Sequence, residues 1–307
     1  MSKINVNFGF FDYQYISSNI GDDIQTLAMI GMLKKMKEIH SLKFPLNFSE
    51  YDCVINPDAR YILNMIPINR DNSSKTSDIP NIICVMNGWF MHKIDTPMGR
   101  SKFTGQSKIK LFKNNLDWPP PSNIKPIFIS FHINNKYMLE DCYIPYYKLY
   151  EPIGCRDRST AQYLENKGVN SYFSGCLTLT LDNINKSQKG NDEYNVDILS
   201  TGKSKYITHQ KLTYSSMNYV KRIPIAQKLL DGYASAKSVT TNRVHVMLPC
   251  LAYGTKVNFI IKKQNDPRLL GLLELIENKD LLENTIEGIE QDFKVKVLAT
   301  IQKYYTI

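Results

Sequence analysis

Short, continuous apolar runs alternate with stretches of helical periodicity over most of this chain, and the runs end in polar turns. Ile4 to Phe11, Ile82 to Met86 and Ile127 to Ile133 have the length and composition of strands buried on both faces. Between the first two, Ile24, Leu27, Ala28, Gly31 and Met32 recur at helical spacing and give one apolar face. Parallel strands need crossover connections of this kind, which makes the chain α/β. The alternation restarts in the second half. Ser159-x-x-Gln162 reads as a capping box opening a helix that ends at Gly168. Tyr172, Phe173 and the Leu177 to Leu181 alternation read as strand, as does Val196 to Leu199. Ile225, Leu229 and Tyr233 mark a helix entered at Pro224. That helix leads into strand Ser238 to Thr241, a polar turn, a short apolar helix and a last strand. The Tyr-rich segment Tyr143 to Tyr150 divides the chain into two comparable halves, 1–148 and 149–307. A terminal helix over Ile286 to Tyr304 is free to cross back to the first half.

With 43% apolar and 22% charged residues among 307, the chain is of ordinary globular composition and long enough for two domains. The net charge of +9 comes from scattered lysines, with no basic run and no nucleic-acid module. Diffuse basicity of that kind suits small polyanions or acidic glycans, so nucleic acid is not an expected partner. None of the six cysteines forms a C-x-x-C pair, and Cys84, Cys176 and Cys250 sit inside apolar runs. That is the pattern of free thiols in a reducing compartment. The N-terminus lacks the pattern of a signal peptide, and no apolar run approaches the roughly 20 residues needed to span a bilayer. A soluble, cytoplasmic protein is expected; the oligomeric state is not legible. The irregular stretches Asn69 to Pro80 and Gly88 to Ser122, the second carrying Trp118 and three prolines, read as edge excursions and a possible acceptor-side loop.

Three turns carry candidate chemistry. In SNIGDDIQT, Gly21 permits a tight turn, and Asp22 or Asp23 stands at a helix start. Either aspartate is an N-cap or a general base exposed at the mouth of the sheet. In GCRDRST, Arg156 and Arg158 flank Asp157 at a strand-to-helix turn, an arrangement open to an anion. Asp157 equally fits a cap paired to an arginine. Gly175, after the next strand, is placed for a close backbone approach by a ligand. In TTNRVHVMLPC, Arg243, Val244 and His245 follow a strand, where an α/β sheet usually holds its ligand. Arg243 offers a planar fork for phosphate or carboxylate, and His245 a proton near neutral pH. The plainer alternative is a surface arginine beside a satisfied core histidine. His132, ending an apolar run, is a further candidate of either kind.

Together NIGDD, the GCRDRST…LENKGVNSYFSGCLTLTL block and AQKLLDGYASAKSVTTNRVHVMLPCLAYGTKV resemble the polysaccharide pyruvyl transferase family, with Val244 where that family usually has Leu. The resemblance is strongest from Tyr150 to Val257. It implies two Rossmann-like domains facing a cleft (GT-B-like), with the acceptor on the N-terminal side and the donor on the C-terminal side. It implies metal-independent transfer of pyruvate from phosphoenolpyruvate, with no cofactor, to a sugar or glycan as a cyclic ketal. Arg156, Arg243 and Arg158, with Val244, are then expected around phosphoenolpyruvate. His245 is expected as general acid, Asp22 or Asp23 as base, His132 as a further catalytic candidate, and Asn19, Gly21 and Gly175 at points of close approach. The competing classes are a nucleotide-sugar glycosyltransferase of the same architecture and a non-catalytic glycan-binding member of the fold.

Overall fold

The computed structural model describes residues 3–13, 17–39, 41–43, 58–70, 73–90, 118–133, 136–182, 189–199 and 204–305. The first half contains β1 (Ile4–Asp12), α1 (Gly21–Lys35), β2 (Ser41–Lys43), β3 (Tyr61–Asn69), β4 (Ile82–Val85), β5 (Trp89–Phe90), β6 (Ile124–Ile127) and β7 (His132–Ile133). Five of these strands form a parallel sheet in the order β2-β3-β1-β4-β6, and β5 pairs with β7. β4 is buried at every position, as its unbroken apolar run requires of a central parallel strand.

After α2 (Ile144–Lys148), the pair β8 (Ile153–Cys155) and β9 (Ser171–Phe173) encloses α3 (Arg158–Glu165). The second sheet then follows. It comprises β10 (Glu193–Val196), β11 (Lys205–Ile207), β12 (Ser238–Thr241) and β13 (Lys256–Phe259), in the parallel order β11-β10-β12-β13. α4 (Tyr219–Ser235) precedes β12, and α5 (Val244–Ala252) joins β12 to β13. α6 (Glu274–Glu277) and α7 (Lys279–Tyr305) end the chain. The architecture is α/β with two parallel, Rossmann-like sheets. The 149–173 segment packs with the first of them: Phe131 pairs with Cys155, and Ile153, Cys155, Ala161 and Leu164 share a core with Cys84, Ile124 and Phe128.

α1 joins the two halves. Ala28, Met29 and Met32 belong to the core beneath the first sheet, while Ile20, Ile24 and Leu27 sit with Val196, Tyr233 and Val246 beneath the second. The helix is therefore buried almost all round, not on one face as its spacing predicts. α7 runs back across the first sheet. Lys296 donates to the carbonyls of Phe128 and Pro152 at 2.8 and 2.9 Å, and the Tyr305 hydroxyl accepts from Asn7 N–H at 2.9 Å.

Several local expectations are corrected. The Ile127 to Ile133 run is not one strand: β6 ends at Ile127, and Ser130 adopts φ +57°. Leu177–Thr180 is a buried 3-10 turn, because Gly175 at φ +76° breaks the extended run before it. Asp157, not Ser159, caps α3. α4 begins at Tyr219 under an Asn218 cap, leaving Pro224 inside it. β10 stops at Val196, where Asp197 turns to φ +55°, and Leu199 is exposed. Cys84, Cys155, Cys176 and Cys250 are buried free thiols and Cys142 an exposed one; Cys53 lies outside the described residues. So does 91–117, most of the expected acceptor-side loop. Among the described residues, no helix is long and apolar enough to cross a membrane.

Candidate functional site

A cleft of about 390 Å³ opens where the start of α1 faces the turn between β12 and α5. Its walls bring together Asn19, Gly21 and Asp22 from the first turn, Arg156 from the second, and Arg243, Val244 and His245 from the third. Three turns far apart in the chain thus converge on one space, at the carboxyl ends of parallel strands.

The β12–α5 turn builds one wall. The Thr241 hydroxyl accepts from Arg243 N–H at 3.0 Å, and Val246, Met247, Leu248 and Cys250 are buried behind the turn. Arg243 occupies the N-cap seat, where its side chain makes no cap bond, so the first N–H groups of α5 keep no side-chain acceptor. Arg243 Nε donates to Asp197 at 2.7 Å, which orients the fork. Burial pushes the Asp197 carboxyl up, but the Thr208 hydroxyl and Arg243 outweigh it and hold the group below the usual carboxylate range. Among the described residues, the buried Nε2 of His245 finds no partner. Burial foremost, then the charge of Arg156 and the neighbouring His209, His132 and Arg268, hold its pKa well below the ordinary histidine value.

The β8–α3 turn splits. Arg156 is 3% exposed, its Nε has no hydrogen-bond partner among the described residues, and Asp157 Oδ2 lies 3.6 Å away. Burial lowers its pKa and Asp157 opposes that. Asp157 faces inward. Oδ1 accepts from Thr160 N–H at 2.9 Å and from the Ser159 hydroxyl at 2.6 Å, while Oδ2 lies 2.6 Å from His132 Nδ1. Arg158 turns away from the cleft, against expectation. As the first helical residue it bonds Glu274 at 2.8 Å and lies over the Phe173 ring.

His132 is buried against Asp157 and is not on the cleft wall. Burial, then Arg156, lowers its pKa to about 4 despite the carboxylate. Its Nε2 has no partner among the described residues and joins Arg156 Nε and His245 Nε2 as an unsatisfied buried atom. Asp22 accepts from the Ser17 hydroxyl and faces the cleft. Asp23 does not. Arg222 grips it with Nε and Nη2 at 2.9 and 2.6 Å, while the same guanidinium donates to the carbonyls of Ser17, Asn19 and Tyr214. Burial pushes the Asp23 carboxyl up to about 7, with Arg222 opposing. The two adjacent aspartates thus divide into one that faces the cleft and one that clamps the turn. Gly175 also leaves the set. A Cβ there would meet Thr285 at 2.8 Å and Ile289 at 3.2 Å, so its bareness admits α7 rather than a ligand.

Sequence reasoning missed His209, Arg268 and Lys262 on the cleft wall, and the supporting Asp197 and Arg222. Arg268 sits in a 3-10 turn where Asp266 holds it at 2.5 Å. An isolated Asp-Pro-Arg in a loop carries no periodic signal, and only the fold brings it to the cleft. Arg222 falls at a buried helix position where the pattern calls for an apolar residue, and that misfit was a signal available to be read. Among the described residues no three His, Cys, Asp or Glu side chains gather as a metal-binding group.

The family model for polysaccharide pyruvyl transferase matches residues 19–261, a span that contains all three turns. A search of curated protein sequences returns no match. Among solved structures, similarity extends to the uncharacterized protein KP1_0663 from Klebsiella pneumoniae, 14% identical, covering 87% of each chain with a TM-score of 0.44. A putative UDP-N-acetylglucosamine 2-epimerase from Listeria monocytogenes is 10% identical over 99% of this chain and 96% of its own, TM-score 0.42. The UDP-GlcNAc 2-epimerase from Neisseria meningitidis bound to UDP-GlcNAc is 8% identical over 98% and 100%, TM-score 0.40.

Proposed function

Because this chain belongs to the polysaccharide pyruvyl transferase family, we propose that it transfers pyruvate from phosphoenolpyruvate to a pair of hydroxyls on a sugar or glycan, closing a cyclic ketal. The observation that carries the reading is the convergence of Arg156, Arg243, His245 and Asp22 on one cleft. The donor carries a carboxylate and a phosphate, and two guanidinium forks held on separate elements suit two anionic groups better than one. The start of α5, which has no side-chain cap, faces the same space and adds partial positive charge.

The enol phosphate gains a proton at its methylene carbon, and C2 becomes oxocarbenium-like. His245 is the group placed to supply that proton. In the empty cleft its pKa is depressed by burial and by the surrounding cations. A bound carboxylate and phosphate offset those cations, so donor binding raises the pKa and charges the acid where it is needed. A sugar hydroxyl then adds to C2, the bond from C2 to the phosphate oxygen breaks, and a second hydroxyl closes the ketal. Of the two hydroxyl protons, one replaces that spent on the methylene carbon and the other leaves on phosphate. Of the two carboxylates on the cleft wall, Asp266 holds Arg268, and Asp22 is the one placed to accept the first. Arg268 is a third guanidinium on that wall and takes the place sequence reasoning assigned to Arg158.

The test is incubation with phosphoenolpyruvate and an array of simple sugar acceptors, read by phosphate release and by mass spectrometry for a pyruvyl ketal. Release with at least one acceptor is expected. Thermal stabilisation by nucleotide-diphosphate sugars and not by phosphoenolpyruvate would overturn the donor assignment.

A further inference from the structure

His209 belongs to none of the three turns, yet it stands on the cleft wall beside His245. The backbone fixes it firmly. Ile20 N–H donates to its carbonyl at 2.9 Å, and its own N–H reaches Asp197 at 3.3 Å. On the ring, Nε2 lies 2.6 Å from the Tyr233 hydroxyl. Tyr233 is fully buried, and among the described residues His209 Nε2 is the only acceptor its hydroxyl finds. A phenol proton left without an acceptor in the interior is heavily penalised, so the tyrosine donates and Nε2 is the lone-pair nitrogen. Burial supports the neutral ring, lowering its pKa to about 4. A neutral imidazole holds one proton, and that proton is then on Nδ1.

Nδ1 points at the start of α1. It lies 3.3 Å from where a Cβ on Gly21 would sit, and the Cβ of His245 lies 3.4 Å from the same point. Gly21 leaves that space open between the two histidines. Nδ1 makes no hydrogen bond to any described residue, and it is not among the buried polar atoms without a partner, so it opens on the cleft. Arg156, Arg243 and Arg268 line the same cleft. Asp22 and Asp266 also line the cleft, but Asp22 accepts from the Ser17 hydroxyl and Asp266 holds Arg268, so the donors set the preference for an oxygen that only accepts, that of a phosphate or carboxylate.

We propose that His209 is a further donor-binding residue, whose Nδ1–H, locked in that tautomer by Tyr233, hydrogen-bonds an anionic oxygen of the bound donor beside the first turn of α1. The proposal rests on the phosphoenolpyruvate reading. Tyr233 acts through His209 and is a positioning residue.

The test combines titration calorimetry with phosphoenolpyruvate and long-range proton–nitrogen NMR of the histidine rings. Wild-type protein is expected to show His209 protonated on Nδ1. His209→Ala is expected to weaken phosphoenolpyruvate about 10- to 100-fold, as loss of a hydrogen bond to a charged group does. His209→Asn places an amide N–H near the Nδ1 position and is expected to recover most of that loss. Tyr233→Phe frees the tautomer, and its NMR signature shifts toward a mixture. A ring protonated on Nε2 in the wild type, or unchanged affinity in a folded His209→Ala protein, overturns the proposal and leaves the donor reading standing. No phosphoenolpyruvate binding by the wild type overturns the donor reading and this proposal with it.

Discussion

Two strand-to-helix turns of this protein carry arginines, at 155–160 and 241–245, and they use them differently. In the first, an acidic residue holds the N-cap seat. Asp157 accepts from Thr160 N–H, so the start of α3 is satisfied from within. In the second, Arg243 holds that seat and caps nothing, so its side chain leaves the start of α5 unsatisfied. The arginine that enters the cleft comes one residue before the cap in the first turn and at the cap in the second. An arginine near a helix start is therefore a weak indicator of an anion site. Its place relative to the cap, and what the cap does with the helix N–H groups, decides.

The most severe break of the comparison is at His245. His245→Asn is expected to retain the fold, judged by circular dichroism, and to lower kcat by about 10²- to 10⁴-fold, the usual contribution of a positioned acid. Wild-type turnover would remove the acid from the reading. The pH dependence has a definite sign. Burial and nearby cations depress the His245 pKa in the free protein, and a bound anionic donor raises it. The alkaline loss of kcat should accordingly occur at higher pH than the alkaline loss of kcat/KM.

Next come the two cleft arginines, which should separate in stability but not in binding. Arg243→Met and Arg156→Met are each expected to weaken phosphoenolpyruvate about 10- to 100-fold, read by calorimetry. Arg243 is held by Asp197 and partly exposed, so its loss leaves a carboxylate without its cation and lowers Tm. Arg156 is buried with Nε unbonded, and Asp157 keeps its other hydrogen bonds without it. Arg156→Met is expected to hold or raise Tm. A fall in Tm for Arg156→Met as large as that for Arg243→Met would erase the distinction between the turns.

Asp157→Asn tests the cap. Asn still accepts from Thr160 N–H but presents a poorer partner to His132, so a loss of about 1–3 kcal/mol is expected by urea unfolding at pH 7. Burial pushes the Asp157 carboxyl up, but its bonds to His132 and Ser159 and the charge of Arg156 outweigh that and hold it below its ordinary pKa. Its stabilising contribution is complete above the unfolded value of about 4 and disappears as pH falls through the lower folded value. The gap between wild type and variant should therefore close only in acid.

The alternation of apolar runs and helical patterns was enough to read the α/β class, and the three turns yielded seven of the cleft-lining residues. What stayed hidden depended on direction and on distance along the chain. Asp22 and Asp23 are equivalent by type and position, yet Arg222, nearly 200 residues on, claims only the second. Gly175 reads as room for a ligand until α7 comes back to fill it. The Leu177 to Leu181 alternation reads as strand because periodicity does not register the positive φ two residues before it. His209 and Arg268 lie in loops, which carry no period at all.

Arg158 offers the smallest and most discriminating test, because it shares its turn with Arg156 and differs only in orientation. Its Nη1 bonds Glu274 at 2.8 Å, and both side chains of that pair are more than 40% exposed. Exposed pairs of this kind contribute about 0–1 kcal/mol. Its guanidinium also lies 5.5 Å from the Phe173 ring, a contact of about 0.5–1 kcal/mol at an accessible site. Arg158→Ala is therefore expected to cost about 0.5–2 kcal/mol in urea unfolding and to leave phosphoenolpyruvate affinity within about twofold of wild type. A loss of donor affinity comparable to that of Arg156→Met would mean that Arg158 swings into the cleft on binding. The cap would then no longer decide which arginine of the turn meets the anion.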